Sequence, residues 1–168
     1  MPRRMQGRTA RAIALLILAS AGLAGCGFHL QGAEPLPEGA RNVYVATSDE
    51  LTPFAVELRQ SLERSGARIA VSAAAADTVV RIERDRAGRR VLSVSAGNTP
   101  QEYELFYLVE YSVDRAGKEV VATQRLELTR NMSFEASQLL AKDREETVLQ
   151  QAMARDLAGL VLRRLVAL

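Results

Sequence analysis

Cys26, the one cysteine of the chain, ends the run Leu23-Ala24-Gly25-Cys26, and what precedes it decides what the thiol can do. Ala24 and Gly25 are small enough for extended backbone to enter a peptidase site, and a thiol directly behind them can accept a diacylglyceryl group. Upstream, Arg3, Arg4, Arg8 and Arg11 form a positive stretch without an acid, and residues 12–24 are mostly apolar. That run is too short for a bilayer span, which needs about 20 residues, and suits the apolar region of a secretory signal. The competing reading is an ordinary signal with a chance cysteine, or a buried first helix. Neither explains why basic flank, apolar run, small residues and thiol fall in register.

Residues 1–25 are therefore read as a signal peptide of the bacterial lipobox type, cut between Gly25 and Cys26. The expected modification is a diacylglycerol and an N-acyl chain on Cys26, with no other cofactor. Acyl chains bury enough CH₂ groups, at about 0.8 kcal/mol each, to hold a domain on a membrane. Gly27 follows the modified cysteine. Lipoproteins kept in the inner membrane commonly carry aspartate there, so the glycine favours the outer membrane.

Signals for turnover are weak. His29, the only histidine, lies in the leader behind the modified cysteine, where a relay or a zinc site would need partners brought from elsewhere. The chain has no Gly-rich phosphate loop, no G-x-S-x-G and no spaced Cys/His cluster. Glu102, Glu104 and Glu110 share a neighbourhood, as paired acid/base carboxylates would, but alternate strand positions more simply give a solvated face. Tyr103, Tyr107 and Tyr111 fit either a stacking ladder or core positions. No enzyme is expected. Cations carry the remaining chemistry: a protein on the periplasmic side of the outer membrane meets the phosphates of lipopolysaccharide, which Arg and Lys bind through charge-assisted hydrogen bonds. Candidates are Arg89, Arg90, Arg130, Lys142 and Arg144, near strand ends or the start of the last helix.

Composition agrees with an exported binding protein. The full chain carries 22 Lys+Arg and 20 Asp+Glu. Loss of the four arginines in residues 1–25 leaves 18 against 20, so the basic character belongs to the signal and no nucleic-acid partner is implied. One thiol cannot form an internal disulfide, and the mature chain, one domain's worth of residues, must stand on its own core.

The elements that must position these residues follow from periodicity. Residues 26–40, with Gly32, Pro35, Pro37 and Gly39, read as an extended tether before a domain at 41–168. Val43 to Thr47 alternates as a first strand. Thr52-Pro53 starts a helix over 53–65, with Leu51, Ala55, Leu58 and Leu62 at helical spacing and Gly66 closing it. Residues 68–71 suggest a brief strand. Strand character returns at 78–84 and 90–95, and residues 85–89 read equally as a hairpin turn or as a bulge within one long strand. After the turn at 97–100, Tyr103, Leu105, Tyr107, Val109, Tyr111 and Val113 share one face, with mostly acidic residues opposite. A further strand follows Arg115-Ala116-Gly117. From about residue 138 the period becomes helical, with a stripe of Leu149, Met153, Leu157, Leu160, Val161 and Leu165. The expected class is α/β of the α+β kind: a two-layer sandwich, two helices on one face of a mixed, mostly antiparallel sheet of about four strands.

Three segments are distinctive. Cys26-Gly27-Phe28-His29-Leu30-Gln31-Gly32 resembles the CGFHLRG-like start of the mature LptE family of lipopolysaccharide-assembly lipoproteins. Glu102-Tyr103-Glu104-Leu105 resembles the start of that family's central strand. Leu140-Ala141-Lys142-Asp143-Arg144-Glu145-Glu146 resembles its motif L-A-K-(D/E)-x-E-E at the last helix. The matches run in the family's order across the mature chain. The resemblance implies the same two-layer fold and a non-enzymatic role: residence inside the LptD β-barrel of the outer membrane, help in its assembly, binding of lipopolysaccharide, and delivery of it to the outer leaflet. It gives Lys142 as the motif lysine and Arg130 as a matching basic residue. The turn at 96–100 departs from the family by lacking the basic residue some relatives carry. A structural adaptor in another envelope complex is the alternative role.

Overall fold

The computed structural model describes residues 36–133 and 139–168; Gly25, Cys26 and His29 lie outside them. Strand β1 (Asn42–Ala46) leads to helix α1 (Pro53–Arg64), whose Thr52 side chain accepts a hydrogen bond from the Ala55 amide at 3.2 Å, with Pro53 in the first turn. The helix closes as its capping residues predict: Gly66, at φ +86°, donates to Glu63 O and Ala67 to Leu62 O, the paired bonds of a Schellman motif that needs a left-handed residue. Strand β2 is only Arg68–Ile69, followed by a 3₁₀ turn at Ala73–Ala75. Three long strands follow: β3 (Thr78–Val94), β4 (Pro100–Arg115) and β5 (Lys118–Ser133), and then helix α2 (Leu139–Val166).

The sheet order is β2-β1-β3-β4-β5, with β1 parallel to both neighbours and the rest antiparallel. The expected class holds, with five strands rather than about four; the extra one is the two-residue β2. Ala116 and Gly117, at φ 49° and 74°, make the two-residue turn between β4 and β5 whose twist matches that of the strands.

Residues 84–90 form no hairpin. They continue β3, paired from Arg84↔Glu110 to Arg90↔Glu104, and the irregularities fall on either side, at Ile82/Arg84 and beyond Val91. Gly88 is therefore a strand residue set opposite Phe106. A Cβ built there would stand 2.7 Å from Phe106 Cζ, so the glycine makes room for the ring. Arg86 and Arg90 close over that ring, their guanidinium carbons 6.0 and 5.3 Å from its centroid.

One face of the sheet makes the core. Val43, Val45, Val80, Leu105, Tyr107, Val109, Tyr111 and Val113 are buried beneath Phe54, Ala55, Leu58 and Leu62 of α1 and Met153, Ala154, Leu157, Ala158, Val161 and Leu165 of α2. The helices also pack on each other, and Arg155 of α2 donates to Glu57 of α1 at 3.3 Å. Two stripe positions differ from expectation. Leu51 precedes the helix cap and is 85% exposed, its place taken by Phe54; Leu160 is 37% exposed, and Ala154 and Ala158 fill the helix contact instead. Leu36 and Ala40 are core residues too, so packing begins within the stretch read as tether. Among the described residues, no helix is long and apolar enough to cross a membrane.

Candidate anion-binding surface

Strand register places the predicted cations. Arg89 pairs with Leu105, and Leu105 with Arg130, so two arginines flank one buried leucine on the helix-facing side. Helix α2 answers both. Arg89 Nη1 donates to Glu146 Oε2 at 2.8 Å and Arg130 Nη2 to Asp156 Oδ2 at 3.4 Å. Tyr103 lies one row nearer the β3–β4 turn, and the Arg89 guanidinium stacks 5.0 Å from its ring centroid. Lys142 pairs with Glu145 on α2 itself at 2.8 Å. Arg144 is exposed and has no acidic partner among the described residues. Arg89 and Arg130 thus stand on the helix-facing side of the sheet, each tied to α2, and Lys142 lies in the first turns of that helix.

Arg90 goes the other way. One residue along a strand reverses the face, and Arg90 lies on the uncovered side, hydrogen-bonded to Glu104 and to Glu127 at 3.2 Å. It belongs to a ladder that also pairs Arg81 with Asp114, Arg84 with Glu110 and Arg125 with Glu127. The hydrogen bond from Arg125 holds the Glu127 carboxyl below the usual carboxylate range, with the charges of Arg125 and Arg90 adding to it and slight desolvation opposing. The acids of β4 read as a solvated face are the partners of these arginines. Cross-strand opposite charges stabilise a sheet modestly, and a face so balanced attracts neither sign strongly.

One polar cluster escaped the sequence reading. Asp85, on β3, accepts a hydrogen bond from Thr52 at the head of α1, and the Phe54 amide donates to Tyr107 Oη at 3.1 Å. Burial pushes the Asp85 carboxyl above its ordinary range, opposed by the hydrogen bonds of Thr52 and Tyr107 and aided by the charge of Asp49. Burial, with the negative charge of Asp85 next, also raises the Tyr107 phenol. These groups clamp the helix start onto the sheet. The acid and the tyrosine sit in register with core positions, a signal that only the strand pairing reveals. Tyr103, Tyr107 and Tyr111 follow suit: Tyr107 and Tyr111 are core, and Tyr103 is at the rim. No group of three or more potential metal ligands occurs among the described residues.

Exposed ion pairs of this kind are worth about 0–1 kcal/mol each, so a phosphate, with more charge and more acceptor atoms, can take a guanidinium from its carboxylate. The helix-side cations are equipped to hold an anionic group without changing it. A family model described as "LptE: Lipopolysaccharide-assembly" matches residues 40–165. The chain is 27% identical over 148 residues to the LPS-assembly lipoprotein LptE of Pectobacterium atrosepticum, covering 86% of this chain and 79% of that protein. It is 28% identical over 152 residues to the protein of the same name from Photorhabdus laumondii, covering 90% and 83%. Among solved structures it resembles lipoprotein B of Nitrosomonas europaea, with a TM-score of 0.69 and 29% identity over 84% of this chain and 91% of that one. It also resembles rare lipoprotein B of Shewanella oneidensis, with a TM-score of 0.64 and 28% identity over 75% and 94%. With the fold, the strand register and a match over three quarters of its length in agreement, the chain belongs to the LptE lipopolysaccharide-assembly family.

Proposed function

We propose that this protein is an outer-membrane lipoprotein, acylated on Cys26, that sits inside an LptD β-barrel, assists its assembly, and binds lipopolysaccharide on the way to the outer leaflet. The family match over residues 40–165 carries this reading. The helix-side cations support it by supplying phosphate contacts: Arg89 and Arg130 on one cross-strand row, with Lys142 and Arg144 at the start of α2. Binding proceeds by exchange. Phosphates of the glycolipid replace Glu146, Asp156 and Glu145 at the guanidinium and ammonium groups; Asp156 and Glu145 turn back to water, and Glu146 keeps its hydrogen bond from Gln150. No bond of the ligand is made or broken, so the protein acts by contact and not by turnover.

Charge reversal tests the assignment. Replacing Arg89, Arg130 or Lys142 by Glu removes one charge-assisted bond and adds repulsion, which weakens lipopolysaccharide binding by about tenfold or more. For Arg89→Glu and Arg130→Glu the melting temperature should stay within a few degrees, because those side chains are about half exposed; the Lys142 side chain is largely covered, and its reversal should lower binding more than stability. Arg90→Glu, on the opposite face, leaves binding unchanged. Equal loss from both faces would refute the site. A second reading, a structural adaptor for another envelope complex, is favoured by the acidic partner beside each of Arg89, Arg130 and Lys142. It predicts that none of these reversals affects lipopolysaccharide binding.

A further inference from the structure

The order β2-β1-β3-β4-β5 leaves the sheet two edges. One ends in β2, only two residues long, and so short a strand blunts an edge against further pairing. The other is the 16 residues of β5, without a proline, and no described strand pairs with its far side. Its open backbone groups can be assigned from the turn that precedes it. The Ala116 amide donates to Asp77 O on the β3 side, so Arg115 and the other odd positions of β4 turn their backbone groups to β5, because the direction alternates along a strand. Register joins odd positions of β4 to even positions of β5, as in Leu105↔Arg130 and Val109↔Leu126. Arg125, Glu127, Thr129 and Asn131 therefore aim N–H and C=O groups away from the sheet, along its open edge.

Beside this edge runs a groove of about 280 Å³, lined by Leu128 of β5 and by Arg155, Asp156, Gly159, Leu160 and Arg163 of α2. Leu128 and Leu160 make it apolar at its centre. Arg155 and Asp156 are paired with Glu57 and Arg130, whereas the exposed Arg163 has no acidic partner among the described residues. Gly159 points to an outside approach. Glycine within a helix is less stable than alanine, and α2 does not require it, since a Cβ there would meet only Arg163 Nη1, at an ordinary contact distance of 3.6 Å. What its bare backbone provides is room in the groove, next to the open strand.

We infer that the β5 edge is a strand-addition site for an extended segment of a partner protein. The open N–H and C=O groups of residues 125–131 supply its main-chain hydrogen bonds. Alternate side chains of the added strand face α2 and enter the groove, an apolar one against Leu128 and Leu160 and a carboxylate against Arg163. Gly159 lets that segment lie close to the helix. The occupant is recognised as a stretch that alternates polar and apolar residues and carries an acid on its helix-facing side. It is a polypeptide, so the inference goes beyond the lipopolysaccharide reading and does not rest on it.

The test uses the full acylated chain in its own membrane, with photoreactive residues placed one at a time at positions 127, 129 and 131. Each should crosslink to one segment of one other protein, and the crosslinked residue should shift along that segment in step with the position on β5, as paired strands require. Gly159→Leu fills the groove and Arg163→Glu repels the acid; each should lower the yield at position 129 about tenfold, and Arg163→Lys should keep most of it. Gly159→Ala should raise the melting temperature by about 2–4 °C. A lower melting temperature for that variant would mean that α2 itself needs the glycine, and would overturn the inference. Arg163 is exposed, so its reversal decides the matter even where Gly159→Leu is poorly folded. Crosslinks confined to lipid, to lipopolysaccharide or to a second copy of the chain overturn the inference. So do crosslinks without a common register, or a yield that neither Gly159→Leu nor Arg163→Glu changes.

Discussion

Gly88 offers the sharpest check on the sheet that presents these surfaces. The substitution Gly88→Ala puts a methyl group where Phe106 now sits, 2.7 and 2.9 Å from ring atoms Cζ and Cε1. The ring cannot simply swing aside, since Arg86 and Arg90 bracket it. Overpacking of this kind costs about 1–3 kcal/mol. Against it stands the gain from removing a glycine within a strand, about 0.5–1 kcal/mol. The net loss expected is about 1 kcal/mol, which lowers the melting temperature of a domain this size by about 3–4 °C. Phe106→Leu removes the obstruction, so adding Gly88→Ala to that variant should be neutral or stabilising. The coupling between the two positions, about 1–3 kcal/mol, is read from a double-mutant cycle by chemical denaturation. Additive effects would mean that residues 88 and 106 are not cross-strand partners, and β3 could not be the continuous strand that places Arg89 and Arg90 on opposite faces.

Other consequences follow from the buried cluster and the leader. Asp85→Asn keeps an acceptor for Thr52 but cannot ionise. The folded-state pKa of Asp85 is raised, so the wild type gains stability as pH falls through that pKa and has the full gain below the unfolded value. The Asn variant should therefore melt higher than the wild type at pH 7 to 8, by at most about 1 kcal/mol because the carboxylate is only half buried, and the gap should close on acidification. A gap that widens toward low pH would mean the carboxylate is held ionised, contrary to its burial. Cys26→Ala should abolish acylation and leave residues 1–25 uncleaved or the domain misplaced, as followed by mass spectrometry and membrane fractionation. Normal processing and outer-membrane recovery of that variant would refute the lipobox.

Local chemistry was most legible where one face is buried. The alternation from Tyr103 to Val113, the Thr52-Pro53 helix start, the Gly66 closure and the α2 stripe all follow from short-range rules, and they suffice for the two-layer class. What could not be read depends on partners far along the chain. Gly88 within a run of arginines looks like a turn until Phe106, on the next strand, supplies the reason for it. Leu51 and Leu160 satisfy helical spacing, but the first lies before the cap and the second on the outer side of α2, where close helix packing selects Ala154 and Ala158. The candidate cations were identifiable by type and by place near strand ends. Their sorting into two faces was not, because it follows from an in-register strand whose continuity was in doubt. Their carboxylate partners were equally hidden: Glu146 lies 57 positions from Arg89 and Asp156 26 from Arg130.

The most direct measurement is to extract the acylated protein from membranes in mild detergent, isolate it by a tag, and identify by mass what remains bound. The account predicts a one-to-one complex with one large β-barrel protein, with lipopolysaccharide retained and both acyl and phosphate groups intact. Recovery with small periplasmic proteins alone, or of an unacylated protein free of membrane, would contradict it.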